Sequence, residues 1–262
     1  MEKSKRSSLL KRSVSAVILA PLVILAILFG WSTTVILLLV ASALLAWEWT
    51  VMIPNKNPTV YSMVYMVASA ATFSFSGILF PLILMVGASL FIWWKAKGEE
   101  YRKLLVFAVP YISLGIGSLA WFYTIFGPIA MLWFLFAIWS VDIGGYVVGC
   151  SVKGPKLAPS ISPNKTWSGL IGAMIFCALT SYVFAYLFIP YDLKFYSWFV
   201  GGSAVLAVVA QMGDLLESKI KRTVGVKDSS NLIPGHGGMF DRIDGLLFSA
   251  PFVLIGLYFM YI

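Results

Sequence analysis

Most of the side chains that could do chemistry lie in one polar stretch near the C-terminal end, residues 217–243. The stretch combines carboxylates, basic residues, the only histidine of the chain and a Pro-Gly-His-Gly-Gly turn. If its first part continues the preceding helix, the residues that share roughly one face at i, i+3 and i+4 spacings are Asp214, Glu217, Ser218, Lys221 and Arg222. Carboxylates near cations suit a Mg²⁺ ion and the phosphates that it carries. A solvated amphipathic helix end with a Glu217–Lys221 pair explains the same pattern equally well.

The glycine-rich turn that follows, Pro234–Gly238, cannot form a stable helix and allows a close approach of backbone to a ligand. Successive N–H groups in such a turn can form a concavity that binds anions, and a plain flexible turn is the alternative. Asp241 and Asp244 come next as i, i+3 neighbours. Two such close carboxylates repel one another unless a cation lies between them.

Two further carboxylates lie within apolar segments. Asp142 is followed by Gly144, Gly145 and Gly149, which indicates close helix packing or a broken helix. A carboxylate inside an apolar span is costly and is by default a candidate for a functional site. Glu48 lies between two tryptophans nearer the end of its segment, where it could reach the polar surface or pair with Lys56, so we give it less weight.

A second polar loop, residues 152–166, ends in the run Ser-Pro-Asn-Lys-Thr-Trp. Ser162 and Thr166 can hydrogen-bond phosphate oxygens, and Lys165 adds a point charge. Ser162 followed by Pro163 also predicts a helix start, with Ser162 as the N-cap. The two interpretations are compatible, because helix N-termini bind anions.

Long apolar helices must position these residues. The chain has 262 residues, of which 60% are hydrophobic and 11% charged, whereas soluble domains carry roughly 25% charged residues. The apolar runs are continuous rather than alternating, which favours helices over a barrel. We therefore predict an all-α polytopic integral membrane protein with about nine transmembrane helices. The predicted segments are Ser13–Phe29, Trp31–Ile53, Thr59–Gly77, Ile78–Trp94, Leu104–Phe126, Pro128–Ser151, Trp167–Ile189, Ser197–Leu215 and Asp244–Ile262.

The distribution of positive charge predicts the orientation of these spans. With a cytoplasmic N-terminus, all of the 19 basic residues except Lys194 fall on the cytoplasmic side, as the positive-inside rule requires. This topology accounts for the net charge of +8, so we do not predict nucleic-acid binding. Residues 1–127 form an N-terminal membrane region of about five spans, and residues 128–262 form the catalytic region with loops 152–166 and 217–243.

The motifs from Asp142 to Asp244 resemble those of the phosphatidate cytidylyltransferases, also called CDP-diacylglycerol synthases. Within the polar stretch the matching residues are Ser218, Lys221-Arg222, Lys227-Asp228, Ile233-Pro234, His236-Gly237-Gly238, Asp241-Arg242 and Asp244. The remaining matches are Asp142 with Tyr146 and Gly149, the run from Ser162 to Trp167, Gly213-Asp214, and in the N-terminal half only Glu48-Trp49. The chain departs from the family where Asn164 replaces a frequent Lys and Ser168 replaces a frequent Glu, and both changes could alter phosphate contacts.

The resemblance implies a Mg²⁺-dependent reaction in which CTP and phosphatidate give CDP-diacylglycerol and pyrophosphate. It also implies a homodimer in the inner (plasma) membrane, with the active site facing the cytoplasm. We expect Asp214 and Asp241 to hold Mg²⁺, with Asp142 and Asp244 as further ligands or as residues around them, and a second metal ion stays open. The basic residues expected to neutralise phosphates are Lys165, Lys221, Arg222, Lys227 and Arg242. The other expected substrate contacts are Ser162, Thr166, Ser218, His236, Gly237 and Gly238. The residues predicted to be catalytic are Asp214, Asp241, Lys221, Arg222 and His236.

Other functions compete with this one. A CTP-dependent polyprenol or dolichol kinase would transfer the γ-phosphate and release CDP instead of pyrophosphate. A CDP-alcohol phosphotransferase would need a motif of spaced aspartates that this sequence lacks. A membrane transporter would use Asp142 and Glu48 along a pathway, but transporters usually have charges near the midplane and related halves, and no internal repeat is visible.

Overall fold

A computed structural model describes residues 17–73, 79–190, 192–233 and 237–261 of the chain. Nearly all of this backbone is α-helical, as predicted. The helices are α1 (Val17–Leu28), α2 (Trp31–Met52), α3 (Pro58–Ala70), α4 (Leu79–Lys95), α5 (Arg102–Val152), α6 (Trp167–Phe188), α7 (Leu193–Thr223) and α8 (Phe240–Tyr261). A 3₁₀ turn, Ala71–Phe73, extends α3. The strands β1 (Lys156–Ala158) and β2 (Ser162–Thr166) form an antiparallel hairpin between α5 and α6.

Among the described residues, five helices are long and apolar enough to cross a membrane, namely α2, α5, α6, α7 and α8, whereas α1 and α4 are shorter apolar helices. The 51 residues of α5 are more than twice the roughly 20 that cross a bilayer. Gly127 interrupts this helix with φ 78° and ψ −177°, a conformation that is essentially restricted to glycine. The break falls at the residue that separates the two predicted segments, Leu104–Phe126 and Pro128–Ser151. The total of nine spans and the cytoplasmic N-terminus stay predictions.

The start of α6 corrects one prediction. Ser162 is not a helix N-cap, because residues 162–166 form β2 and pair with β1. The cap is Thr166, whose hydroxyl oxygen accepts a hydrogen bond from the N–H of Gly169 at 3.1 Å. The hairpin pairing therefore extends up to the helix, and the helix begins four residues later than the Ser-Pro pair suggests.

The chain forms two compact units. The first runs up to Thr124 and also includes Ile220–Ile243. Its core contains the fully buried side chains of Trp49, Tyr61 and Tyr65. The Trp49 indole N–H donates to the carbonyl of Leu104 at 3.2 Å, and the Tyr65 hydroxyl donates to the carbonyl of Leu105 at 2.7 Å. Polar ends of buried aromatic residues therefore link α2 and α3 to the start of α5.

The second unit comprises Ile125–Lys219 and the residues from Asp244 onward. Glycines allow its helices to pack closely, as the sequence indicated for Gly144. A Cβ atom placed on Gly144 would lie 2.7 Å from both the carbonyl oxygen of Gly172 and Cβ of Phe176. Such distances leave no room for a side chain, so α5 and α6 are in backbone contact at this point. The Trp133 indole N–H also donates to the hydroxyl of Ser181 at 2.8 Å.

Candidate functional site

Three carboxylates meet in the second unit. Asp214 and Glu217 lie on α7 and Asp244 lies on α8, and one ligand oxygen from each is within 4.8 Å of the others. Glu217 is buried, with 2% of its surface exposed, and Asp214 and Asp244 are partly exposed. Carboxylate groups that are so close repel one another and attract a cation. The sequence predicted Asp214 and Asp244 here, but it placed Glu217 only on the same helix face.

A close contact between α7 and α8 brings Asp214 beside Asp244. A Cβ atom on Gly213 would lie 2.6 Å from Cβ of Phe248 and 3.0 Å from the carbonyl oxygen of Asp244. Only glycine permits this approach, because real Cβ contacts are longer than 3.0 Å. The residue preceding Asp214 therefore determines how near the two carboxylates lie.

Polar side chains surround Asp214. The ammonium group of Lys165, at the end of the hairpin, forms an ion pair with its Oδ2 atom. The hydroxyl of Ser218 donates to its Oδ1 atom at 3.4 Å, a weak contact. Asp142 is exposed and lies outside the group of three, but it interacts electrostatically with Asp244. Of the cations in these contacts, Lys165 lies nearest to the carboxylates, and its ammonium could bind a phosphate there.

A second polar cluster lies in the first unit and contains two residues predicted to be catalytic. Nζ of Lys221 is 2.5 Å from Oδ1 of Asp241, and both side chains are mostly buried, with 11% and 7% exposed. Oδ2 of Asp241 accepts hydrogen bonds from the N–H of Gly238 at 2.8 Å and the N–H of Ser229 at 3.0 Å. The cation beside Asp241 is thus a side chain of the protein, and Asp241 as a magnesium ligand stays a prediction.

Gly237 and Gly238 of the last loop have defined roles. Gly237 has φ 83°, in the region that favours glycine, and its carbonyl accepts from the N–H of Ile233 at 2.8 Å. A Cβ atom on Gly238 would lie 2.5 Å from Oε1 of Glu48. The close approach that the sequence predicted at Gly238 therefore involves a carboxylate of the protein itself. Pro234, Gly235 and His236 lie outside the described residues, so the prediction for His236 stays as it was.

The remaining predicted contacts are distributed over both units. Arg222, Lys227 and Arg242 are exposed, and the Arg222 guanidinium donates to the carbonyl of Val226 at 3.3 Å. The hydroxyl of Thr166 is buried in the cap of α6, and Ser162 begins β2. The structure gives Thr166 a structural function, and a contact of Ser162 or Thr166 with substrate stays a prediction.

Glu48 is the residue that sequence reasoning undervalued. It does not snorkel, because its side chain is fully buried. Its carboxylate accepts hydrogen bonds from the last loop rather than reaching the polar surface. The available signal was the Glu48-Trp49 match to the family, but a carboxylate near the end of its apolar segment also suited a position at the polar surface or a pair with Lys56.

The carboxylate group fits a divalent cation. Hard cations such as Mg²⁺ prefer oxygen ligands, and Asp214, Glu217 and Asp244 supply three carboxylates around one point. Glu217 is nearly inaccessible to water, and a cation bound among carboxylates that lie so close offsets their mutual repulsion. The donor set can therefore hold an ion that carries phosphate groups.

Comparisons with known proteins agree with this chemistry. A model of the Cytidylyltransferase family matches residues 10–260. The chain is 46% identical over 124 residues to a phosphatidate cytidylyltransferase of Brucella suis, a match that covers 47% of this chain and 44% of the relative. It is 34% identical over 194 residues to that of Rickettsia felis, covering 68% of this chain and 80% of the relative. It is 45% identical over 119 residues to that of Bacillus subtilis, covering 44% and 42%.

The match thus spans less than half the length of the Brucella and Bacillus relatives. The family model, in contrast, extends over nearly the whole chain. It includes the three carboxylates on α7 and α8, Lys165 in the hairpin and the buried Glu48. This chain belongs to the cytidylyltransferase family.

Proposed function

We propose that the protein transfers CMP from CTP to phosphatidate and so produces CDP-diacylglycerol and pyrophosphate. The observation that carries the proposal is the group of Asp214, Glu217 and Asp244 with Lys165 beside it, within residues that match the family. An oxygen of the lipid phosphate forms a bond to the α-phosphorus of CTP. The bond from the α-phosphorus to the oxygen that bridges to the β-phosphorus breaks, and its electron pair leaves with pyrophosphate.

This reaction requires no side chain to remove a proton from the nucleophile. The second pKa of a phosphate monoester is near ~6, so the attacking oxygen is already largely anionic at neutral pH. The barrier comes mainly from repulsion between the two anions and from charge that develops on the leaving group. Positioning and electrostatic stabilisation are therefore the work that the protein has to do.

We assign the carboxylates of Asp214, Glu217 and Asp244 to Mg²⁺. When bound, the ion would neutralise phosphate oxygens of CTP and stabilise charge on the departing pyrophosphate. Asp142 and Asp241 as additional ligands, and a second ion, remain parts of the proposal that rest on the resemblance alone. The position of Glu217 beside Asp214 and Asp244 supports it as the third carboxylate of this group.

Basic side chains bind the phosphates in this proposal. Lys165 lies at the edge of the carboxylate group, and its flexible stem allows the ammonium to move from Asp214 to a phosphate oxygen. Arg222, Lys227 and Arg242 are exposed, so anions from solution can reach them. Lys221 is held by Asp241 at 2.5 Å, so its ammonium is presented at a fixed place.

The substrates determine where the reaction takes place. CTP is a soluble polyanion, whereas phosphatidate has its phosphate at the membrane surface. The predicted topology puts nearly all basic residues on one side of the bilayer. We therefore propose that the protein acts in the inner (plasma) membrane with its site facing the cytoplasm, and we propose a homodimer from the family resemblance alone.

A product analysis of the purified protein tests the proposal. The enzyme in mixed micelles with phosphatidate and Mg²⁺ is supplied in turn with CTP, dCTP, ATP, GTP and UTP. With CTP we expect a lipid whose mass has increased by that of a cytidylyl (CMP) unit, together with one pyrophosphate per lipid. Transfer of the γ-phosphate with release of CDP, or an unchanged lipid with every nucleotide, would reject it.

A further inference from the structure

Glu48 connects α2 to the last loop and to the start of α8. Its Oε1 atom accepts hydrogen bonds from the hydroxyl of Ser230 at 2.6 Å and from the N–H of Met239 at 2.7 Å. Its Oε2 atom accepts from the N–H of Phe240 at 2.7 Å and from the hydroxyl of Ser229 at 3.2 Å. One carboxylate therefore binds residues at both ends of the loop segment 229–240.

The bonds to Met239 and Phe240 give Glu48 the function of a helix cap. Phe240 is the first residue of α8, and the first N–H groups of a helix have no partner within it. A negative charge at this end is also favoured by the helix dipole. The fully buried Glu48 side chain satisfies these donors from a part of the chain about 190 residues away.

Aromatic packing fixes the same contact. Trp49, the next residue of α2, packs edge-on against Phe240 with ring centroids 5.3 Å apart. Tyr111 of α5 lies 5.8 Å from the Phe240 ring at an interplanar angle of 86°. The side chains of Trp49 and Phe240 are both buried, so the start of α8 cannot shift without disturbing this group.

Ser229 and Gly238 join Glu48 to the Lys221–Asp241 pair. The hydroxyl of Ser229 lies 3.2 Å from Oε2 of Glu48 and 3.1 Å from Oδ2 of Asp241. It has a single proton and donates to one carboxylate at a time. Gly238 donates its N–H to Asp241 at 2.8 Å, and a Cβ atom there would lie 2.7 Å from Oε2 of Glu48. The carboxylates of Glu48 and Asp241 thus both contact the chain at Ser229 and Gly238.

We propose that Glu48 is a positioning residue for the reaction, because it holds the loop that orients Asp241 and, through Asp241, the ammonium of Lys221. This inference rests on the proposed function. It deepens that function by giving a residue of the N-terminal half of the chain a part in the reaction. Glu48 needs no contact with either substrate to act in this way.

The negative charge of Glu48 is essential to this role. A carboxylate can accept all four hydrogen bonds, whereas an amide has one acceptor oxygen and an NH₂ group that would face backbone or hydroxyl donors. Glu48→Gln keeps the shape of the side chain but leaves buried donors unsatisfied. Glu48→Asp keeps the charge and shortens the reach by one methylene, so it restores the interaction only in part.

The experiment combines loop protection with kinetics on the purified full-length protein in mixed micelles. Trypsin cleavage after the exposed Lys227, followed by mass spectrometry, reports how firmly the loop is held and does not depend on any activity. The rate of pyrophosphate release is measured against CTP concentration, per folded molecule, for the wild type, Glu48→Gln and Glu48→Asp. Glu99→Gln is the matched control, since its carboxylate accepts from the Tyr61 hydroxyl at 2.5 Å and the N–H of Lys56 at 3.1 Å in the same unit.

For Glu48→Gln we expect cleavage after Lys227 to accelerate at least about fivefold and kcat/KM for CTP to fall about tenfold or more. Glu48→Asp should be intermediate and Glu99→Gln within twofold of the wild type. A residue with a purely structural role would lower the folded fraction and leave KM unchanged. If Glu48→Gln does not fold, Ser230→Ala, which removes one hydrogen bond to Glu48, should shift both quantities about two- to threefold in the same direction.

The inference would be overturned if Glu48→Gln had the wild-type kcat/KM per folded molecule, even if its loop became easier to cleave. The same result in Ser230→Ala would overturn it where Glu48→Gln does not fold. A wild-type enzyme that makes no CDP-diacylglycerol would instead refute the proposed function, and the positioning role in this reaction would fall with it. The cleavage rates would still report whether Glu48 holds the loop.

Discussion

Substituting Gly213 by alanine should separate α7 from α8 and weaken binding of Mg²⁺. The added Cβ atom would lie 2.6 Å from Cβ of Phe248 and 3.0 Å from the backbone oxygen of Asp244. Neither atom is the flexible end of a side chain, so the helices themselves have to move. Reaching an ordinary contact of 3.4 Å requires a separation of about 0.8 Å in a closely packed interface.

The expected effect on stability is the difference between two terms. Overpacking costs about 1–3 kcal/mol, and replacing a helical glycine by alanine returns about 0.5–1 kcal/mol. The free energy of unfolding should therefore fall by roughly 0–2.5 kcal/mol. The control is Gly201→Ala on the same helix, where nothing lies within 4 Å of the added Cβ. Its stability should be unchanged or slightly higher.

The substitution should also weaken the binding of Mg²⁺. Opposite ligand oxygens around one Mg²⁺ are about 4.2 Å apart, and the nearest carboxylate oxygens here already lie within 4.8 Å. Moving Asp214 away from Asp244 should raise the Mg²⁺ concentration for half-maximal pyrophosphate release about tenfold, or ~1.4 kcal/mol. The assay titrates Mg²⁺ at saturating CTP and phosphatidate. Equal Mg²⁺ titrations for Gly213→Ala and Gly201→Ala would refute the reasoning.

Two further predictions concern stability. Lys221→Ala should lower the free energy of unfolding by about 3–5 kcal/mol, because it removes the cation beside the mostly buried Asp241 carboxylate. Thermal unfolding should show a clear fall in Tm for this variant and none for the exposed control Lys227→Ala. Equal Tm values for the two variants would contradict the prediction. Thr166→Val should lower the free energy of unfolding by about 1 kcal/mol, because it removes the cap of α6. Thr166→Ser keeps the hydroxyl and should retain most of the wild-type Tm. An unchanged Tm in Thr166→Val would show that the cap does not contribute to stability.

The sequence predicts the helical class well because its signals are local. Continuous apolar runs indicate the helices, and the break at Gly127 falls between two predicted segments. The helical continuation of α7 up to Thr223 follows from the spacing of its polar residues. The hairpin was missed, because Ser162-Pro163 and Thr166 are both plausible caps and only the pairing of β1 with β2 decides between them.

The site is predictable where its residues neighbour one another in sequence. Asp214 and Asp244 were found through their motifs, but the partner of each carboxylate depends on helix packing. Glu217 completes the group because α7 and α8 approach at Gly213. Glu48 contacts residues about 190 positions away, and no local pattern in its apolar segment indicates such a contact. Isolated polar residues in apolar helices therefore need the tertiary structure to be interpreted.

The claim that Asp214, Glu217 and Asp244 hold the catalytic Mg²⁺ is tested most directly by the Mg²⁺ response of Asp244→Asn. The control is Asp192→Asn, an exposed aspartate whose Oδ1 atom accepts from the N–H groups of Lys194 and Phe195. We expect Asp244→Asn to release pyrophosphate at least about 100-fold more slowly, equivalent to ~2.7 kcal/mol, and to lose the rise in Tm that Mg²⁺ gives the wild type and Asp192→Asn. A wild-type rate together with a wild-type Mg²⁺-dependent Tm in Asp244→Asn would contradict the account.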